Sequence, residues 1–362
     1  MKHSLLFIPD ISGFTKFIQS TEASHSQHVI AELLEILIDS NITNLELAEI
    51  QGDALFFYKE EDTLSQEMLL SQIEHTFTAF YSHLKMLEAN RICPCIACAT
   101  APDLELKIVV HCGDLQFIEV QGNRKPFGQQ VIEAHRMLKN SISSDNYAMI
   151  SSVLADGIGL PRNYKSKLYS FEQGVDSYDG NEMDYVYSLI EPSNLKLRPV
   201  RETIHMTFDK APDYSFTKNY QVSADRLLEV ISNYRIKQEW APGVDRFEYA
   251  ENEVTRKGSE HVCVIDGKRL KFVVVTTHAE PDQLVYGEMT SSPPPVDELV
   301  QMFYIDPTGE SSCQMRLDIY LRAKSPLKRL ILRLGLKNFF KKSTIHALDA
   351  LDSYLNTESK AT

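Results

Sequence analysis

The chain holds 362 residues, 43% hydrophobic and 24% charged, enough apolar material for two cores and for two domains of ordinary size. Its formal charge of −13 argues against general nucleic-acid binding, which needs a basic footprint, and leaves room only for a local basic patch. No run of about 18 uninterrupted apolar residues occurs, so no membrane-spanning helix is expected. The apolar run at residues 4–8, broken by Asp10, is too short for a signal-peptide core and reads as a strand, which points to the cytoplasm. Six cysteines in a chain this long make no disulfide scaffold, and three of them cluster, which suits a reducing compartment.

In chain order, residues 4–8 predict a strand. Residues 25–40 carry Val29, Leu33, Leu34 and Leu37 at helical spacing. Residues 44–50 and 54–58 predict two strands around the tight turn Gln51-Gly52-Asp53. Residues 63–89 predict a long helix, 104–111 a strand with 114–120 as its hairpin mate, and 129–139 a helix. Residues 148–151, 167–171 and 185–190 predict late strands. The order β-α-β-β-α-β predicts an α+β domain of the split βαβ, ferredoxin-like kind, an antiparallel sheet with helices on one face.

Residues 191–200, with Pro192 and Pro199, read as a linker. Domains are expected over residues 1–192 and 215–362, joined by 193–214. In the second, Ser223 is placed to cap a helix over residues 224–232. The segment 234–240 follows, then strand candidates at 244–250, 260–266, 270–277, 284–290, 300–305 and 314–321, and a closing helix over 338–355.

Two segments carry the chemistry: Phe7-Ile8-Pro9-Asp10-Ile11-Ser12-Gly13-Phe14-Thr15 and Glu49-Ile50-Gln51-Gly52-Asp53-Ala54. Each sets an aspartate at a strand edge beside a turn. Carboxylates converging from adjacent strands suit hard divalent cations such as Mg²⁺, which take one or two carboxylates together with phosphate oxygens. Taken singly, Asp10 also suits a helix cap and Asp53 a hairpin turn.

Taken together, and with Val110-His111-Cys112-Gly113-Asp114 and Phe127-Gly128-Gln129-Gln130-Val131-Ile132-Glu133-Ala134-His135-Arg136, the segments resemble the catalytic domain of class III adenylate and guanylate cyclases. The likeness spans residues 5–189. It implies that Asp10 and Asp53 are the two metal aspartates for Mg²⁺ or Mn²⁺, and that the Ile11 carbonyl is a backbone ligand. Gly13, Phe14, Thr15 and Gly52 would border the nucleotide. Glu49 stands where guanylate cyclases carry a glutamate for base recognition, so GTP is expected over ATP. Arg136 falls on the arginine that contacts the triphosphate. That family builds its site between two catalytic domains, so one copy per chain implies a homodimer.

Two positions depart from the pattern. Ile132 occupies the place of a transition-state asparagine, and Asp179-Gly180 that of a phosphate-binding lysine. The second base-selecting position lies nearest Lys125. Losing one preorganised donor costs roughly 10²–10³ in rate, so turnover is expected to be weak or absent while nucleotide still binds.

Cys93-Pro94-Cys95-Ile96-Ala97-Cys98 gives three thiols within six residues, a spacing that suits one structural zinc with Cys112 or His111 as fourth ligand. Buried reduced thiols are the other reading.

The second half resembles the helix-grip fold of START and polyketide-cyclase-like domains over residues 215–355, through element order and the start Val222-Ser223-Ala224-Asp225. That likeness implies a cavity for a lipid or other apolar small molecule, with Ile345 and Leu348 on its wall. Lys324, Lys328, Arg329, Arg333, Lys337, Lys341 and Lys342 interleave with Leu327, Leu330, Ile331 and Leu334. A solvated helix face is favoured here over contact with anionic lipid. The whole chain reads as a homodimeric, Mg²⁺-dependent purine nucleotidyl cyclase-like signalling protein governed by a small apolar ligand. The alternative is an inactive nucleotide- or lipid-binding sensor.

Overall fold

Leu5, Leu6, Phe7 and Ile8 follow one another without the polar alternation of a half-exposed strand. In the computed structural model they lie within β1 (Ser4–Ser12), buried along both faces. The structure describes residues 3–20, 23–178, 180–200, 203–250, 254–291, 296–332 and 337–358. It divides into two compact units, Met1–Ala89 with Ile96–Val200, and Asn90–Cys95 with Arg201–Thr362.

In the first unit β1 is followed by α1 (Phe14–Ser20), α2 (Ala23–Asp39), the hairpin β2 (Glu46–Gln51) and β3 (Ala54–Lys59), α3 (Gln66–Asn90), α4 (Ile96–Thr100) and β4 (Glu105–Gly113). These four strands lie side by side in the order β2-β3-β1-β4, all antiparallel, which is the expected ferredoxin-like core. The chain continues through β5 (Gln116–Val120), β6 (Asn123–Phe127), α5 (Gln129–Met137), β7 (Tyr147–Ser151), α6 (Ser152–Gly157), β8 (Glu172–Tyr178) and β9 (Asn181–Leu189). Strands β7, β9 and β8 extend the sheet beyond β4.

Four expectations are corrected here. The sheet is mixed, because β7 runs parallel to β4, a pairing that a crossover such as the one through α5 allows. Helices do not cover one face alone. Leu6 and Ile8 pack with Ala134 and Val131 of α5, while Leu5 and Phe7, at 0% and 1% exposure, are covered on the other face. Residues 116–120 pair not with β4 but with β6, through Gln121 and Gly122, both at positive φ. Residues 167–171 form only an isolated bridge between Lys165 and Ser170, and the strand lies just after them as β8, whose exposed alternation gave no apolar signal.

One irregularity sits in the central strand. β1 pairs with β4 at every residue from Ser4 to Ser12. It pairs with β3 at Leu5, Leu6 and Phe7, and again at Asp10, with Ile8 and Pro9 skipped between them. Proline has no N–H to donate to a ladder.

The second unit is a seven-stranded antiparallel sheet. Its strands are β10 (Tyr214–Tyr220), β11 (Arg246–Glu248), β12 (Glu260–Ile265), β13 (Lys268–Val275), β14 (Leu284–Ser291), β15 (Glu298–Gly309) and β16 (Ser312–Arg322), in the order β10-β16-β15-β14-β13-β12-β11. Helices α7 (Ala224–Ser232) and α8 (Tyr234–Trp240) follow β10, and α9 (Pro326–Ile331) and α10 (Lys337–Glu358) follow β16. The Ser223 hydroxyl accepts from the Arg226 amide and caps α7, as its sequence position predicts. Leu348, Leu351 and Leu355 of α10 join Leu227, Tyr286, Phe303 and Ile319 in the core of this unit.

Candidate functional site

The β2–β3 turn needs only two residues between Gln51 and Ala54, and Gly52 takes the positive φ of 67° that glycine adopts readily. This tight loop delivers Asp53 beside β1, where the Asp53 carbonyl accepts from the Ile11 amide at 3.1 Å. Asp10, paired across the ladder with Ala54, stands next to it. The structure therefore brings the two predicted aspartates together. Burial pushes both carboxyl groups above the usual carboxylate range, and at Asp53 the charge of Asp10 adds to it.

The sequence reading missed Lys107. It lies opposite Asp10 on β4, with its Nζ 3.2 Å from an Asp10 carboxylate oxygen. One lysine for two half-buried carboxylates leaves negative charge to be neutralised, which fits a divalent cation. Gly13, at φ 85°, turns the chain out of β1, and Phe14 and Thr15 open α1 beside it.

Glu49 lies on β2 next to a register shift in the β2–β3 ladder. Its carboxylate accepts from Gln51 Nε2 at 3.2 Å and pairs with Lys125 of β6 at 3.1 Å. The Gln51 hydrogen bond, followed by that of Lys125, holds the Glu49 carboxyl below the usual range. The two positions assigned to base selection are thus in contact, through a half-exposed pair that a ligand can part at low cost.

On α5, Val131, Ala134 and Leu138 face the sheet, and His135 meets Phe56 edge-on at 5.1 Å. Ile132 is 51% exposed, and Arg136, one turn further along, is half-buried. Asp179 lies outside the described residues; Gly180 turns the chain at φ 83°.

The expected fourth zinc ligands lie elsewhere. His111 is 3% exposed, and its Nε2 sits 2.8 Å from Gln130 Oε1 and 3.4 Å from a Glu133 oxygen, both on α5. Burial pushes the Cys112 thiol up to about 11, which keeps it protonated. Within the first unit, Cys98 Sγ lies 3.7 Å from His25 Nδ1.

The second unit holds a cavity of about 620 Å³, within the range of small-molecule sites. Its wall includes Leu317, Phe340, Leu348 and Leu351, whereas Ile345 is 40% exposed and does not line it. Sequence reasoning missed the polar side of the cavity. Lys237 Nζ donates to Glu288 Oε1 at 2.6 Å, and Tyr286 donates to the same oxygen at 2.5 Å. His261 Nε2 lies 3.7 Å from that oxygen, and its buried Nδ1 has no hydrogen-bond partner among the described residues. Burial lowers His261 to about 4. Burial raises Glu288, but the Lys237 charge and the hydrogen bonds from Lys237 and Tyr286 outweigh it and hold the carboxyl below its ordinary value.

In the basic stretch, Lys328 pairs with Asp297 at 2.5 Å, while Leu327 and Leu330 are exposed. Arg333 and Leu334 lie outside the described residues. No helix among the described residues is long and apolar enough to cross a membrane.

A family model described as a protein of unknown function, DUF2652, matches residues 30–147. The uncharacterized protein Rv2561/Rv2562 of Mycobacterium tuberculosis is 29% identical over 126 residues, 35% of this chain. The match spans 58% of that relative's length. Among solved structures, the N-terminal half of the chain is similar to adenylyl and guanylyl cyclase catalytic domains. The catalytic core of a rhodopsin-guanylyl cyclase with converted specificity, in complex with ATPalphaS, is 16% identical with a TM-score of 0.39, covering 52% of this chain and 96% of that one. The guanylate cyclase domain of RhGC from Catenaria anguillulae, in complex with GTP, is 16% identical with a TM-score of 0.38, covering 52% and 97%. The guanylyl cyclase Cya2 is 15% identical with a TM-score of 0.37, covering 54% and 97%.

Proposed function

We propose that the first unit is a divalent-cation-dependent nucleoside triphosphate site of the purine nucleotidyl cyclase type, shared across a homodimer, with slow or no turnover. The observation that carries this reading is the meeting of Asp10 and Asp53 beside β1, with Lys107 3.2 Å from Asp10 and burial together with the Asp10 charge raising Asp53. Mg²⁺ or Mn²⁺ held by the two carboxylates and the Ile11 carbonyl would supply activation of a ribose hydroxyl and charge neutralisation on the leaving pyrophosphate. Lys107 exchanges its hold on Asp10 for solvent or phosphate when a cation takes that carboxylate. Gly13, Phe14, Thr15 and Gly52 border the triphosphate. Arg136 of one protomer reaches the phosphates held by the other. Glu49, kept ionised by Gln51 and Lys125, accepts from the N1–H and exocyclic amine of guanine, donors that adenine does not present together.

In this reading the second unit is a helix-grip domain, residues 215–362, and its cavity takes a small, largely apolar molecule that governs the first. The aliphatic Ile132, half exposed where a hydrogen-bond donor is needed, specifically favours the sensor version, in which nucleotide is held without cyclisation. The test is incubation of the full chain with each of the four nucleoside triphosphates and Mg²⁺ or Mn²⁺, with binding measured by calorimetry and products by chromatography. Cation-dependent binding of GTP ahead of ATP supports the reading, with a cyclic product deciding between enzyme and sensor. Absence of cation-dependent binding of any triphosphate overturns both versions.

A further inference from the structure

We propose that the cavity of the second unit takes a neutral apolar molecule bearing a hydroxyl group, which donates to His261 Nδ1 and accepts from Lys237. The inference rests on the reading of that cavity as a ligand site and names the chemistry of its occupant. Leu299, Leu317, Ile319, Leu348 and Leu351 give the wall its apolar character. Against them stands a polar pole, where Lys237 of α8, His261 of β12 and Glu288 of β14 line the same cavity. Gln301 of β15 pairs across the ladder with Glu288 and lines it too. All of these residues belong to the second unit.

The pole is matched in charge but not in hydrogen bonds. Lys237 Nζ donates to Glu288 Oε1, and the Tyr286 hydroxyl donates to the same oxygen. Both charges are therefore compensated inside the protein. A ligand carboxylate would set a second anion beside Glu288, and a ligand ammonium a second cation beside Lys237. The His261 ring is 2% exposed and stacks on Phe272 and Tyr234, with centroids 5.2 and 4.1 Å away, so its hydrogen-bonding edge is fixed. Burial keeps the ring neutral, and its proton belongs on Nε2, the nitrogen 3.7 Å from the Glu288 carboxylate. Nδ1 is then a bare acceptor, buried and with no hydrogen-bond partner among the described residues. A buried acceptor left unpaired is costly, and a donor on the occupant removes that cost. Lys237, an ammonium that spends only part of its N–H capacity on Glu288, offers a donor at the same pole. A hydroxyl serves both groups through a single oxygen, whereas an ether or a ketone only accepts.

The experiment titrates the full chain with decan-1-ol, decyl methyl ether and decanoate, probes that share an apolar tail and differ at the polar end. Trp240, the single tryptophan of the chain, lines the cavity and is anchored by its Nε1, which donates to the Val230 carbonyl at 3.1 Å. Its fluorescence therefore reports occupancy. Decan-1-ol is expected to bind and shift the Trp240 emission, with decanoate weaker. His261→Phe, which keeps the stack on Phe272, should lower the ratio of alcohol to ether affinity about tenfold, roughly the worth of one hydrogen bond. Comparing ratios cancels the greater hydrophobicity of the ether. A second readout needs no variant: in the wild-type chain labelled with ¹⁵N-histidine, decan-1-ol but not the ether should move one acceptor-nitrogen resonance upfield. Tighter binding of decanoate than of decan-1-ol overturns the proposal, as does a nitrogen spectrum that decan-1-ol leaves unchanged or an affinity ratio that survives His261→Phe; each leaves the cavity standing as a ligand site. No binding of any of the three probes overturns the reading of the cavity itself, and the proposal with it.

Discussion

Asp10 and Asp53 are acidic side chains held where water is scarce, and each is more readily protonated than a free aspartate. In the proposed reading protons therefore compete with a cation for the same oxygens. Triphosphate binding in Mg²⁺ should be flat at high pH and weaken as pH falls through these raised values, starting above the ordinary carboxylate range. Asp10→Asn and Asp53→Asn should each abolish the cation-dependent part of binding in calorimetry while leaving the circular dichroism spectrum unchanged. At the other half of the site, Ile132→Asn restores a donor one helical turn from Arg136. It should raise single-turnover cyclisation on the order of 10²-fold, the amount one preorganised donor contributes; an unchanged rate would show that the donor belongs elsewhere. Asp10, Asp53 and Glu49 stood out through the resemblance of their segments to cyclase motifs, since a position beside a turn suits a cap or a hairpin equally well. Lys107 did not, since only the β1–β4 register brings it to Asp10.

At the scale of elements, apolar periodicity carried most of the reading and failed where strands are exposed. β8 alternates between exposed and half-exposed residues and offered no apolar face. The turn Asp266-Gly267, with both residues at positive φ, matched its strand assignments because that dipeptide suits a two-residue hairpin. The cluster joining α8, β12 and β14 was illegible, because Lys237, His261 and Glu288 look like surface residues until the sheet closes over them. It makes a pH prediction. His261 is held neutral in the fold and takes up a proton on unfolding, so stability falls as pH drops from 6.5 to about 4. Glu288, held below its ordinary value, adds a loss in the same direction at lower pH. The His261 part amounts to on the order of 3 kcal/mol, from a fall of 6.5 to about 4 at about 1.4 kcal/mol per pH unit. Urea midpoints measured across that window should drop for the wild type and change much less for His261→Phe, which keeps the stack on Phe272. A flat wild-type profile would contradict a buried neutral imidazole.

For the molecule as a whole, composition pointed to two cores, and two compact units are what the chain forms. Composition could not say whether a site is completed by a second copy, since that information lies in the distance between Asp10 and Arg136, not in their identities. Mixing tests it. Asp10→Asn and Arg136→Ala chains, each inactive in cation-dependent triphosphate binding, should regain about a quarter of the wild-type sites when mixed, because half of the randomly paired dimers carry one intact site. No recovery after mixing, with dimers confirmed by light scattering, would place both residues in the same half-site.

Pro9 gives the seam between β1 and β3 an uneven grip. β1 is zipped to β4 along its whole length, but to β3 it is stapled at two places, one of them Asp10 itself. The two carboxylates therefore ride on opposite banks of a joint that can widen by loosening one staple, without unravelling a ladder. In the proposed reading such a joint would let the site accept one ion or two, or ions of unequal radius, while the scaffold under Asp10 stays put. Deuterium uptake should register it: in the apo chain, amides of Ala54–Phe57 should exchange faster than those of Lys107–Cys112, and Mg²⁺ with triphosphate should slow the first group selectively. Equal uptake on both sides of β1 would mean that the proline gap leaves the strand as firmly held as an ordinary one.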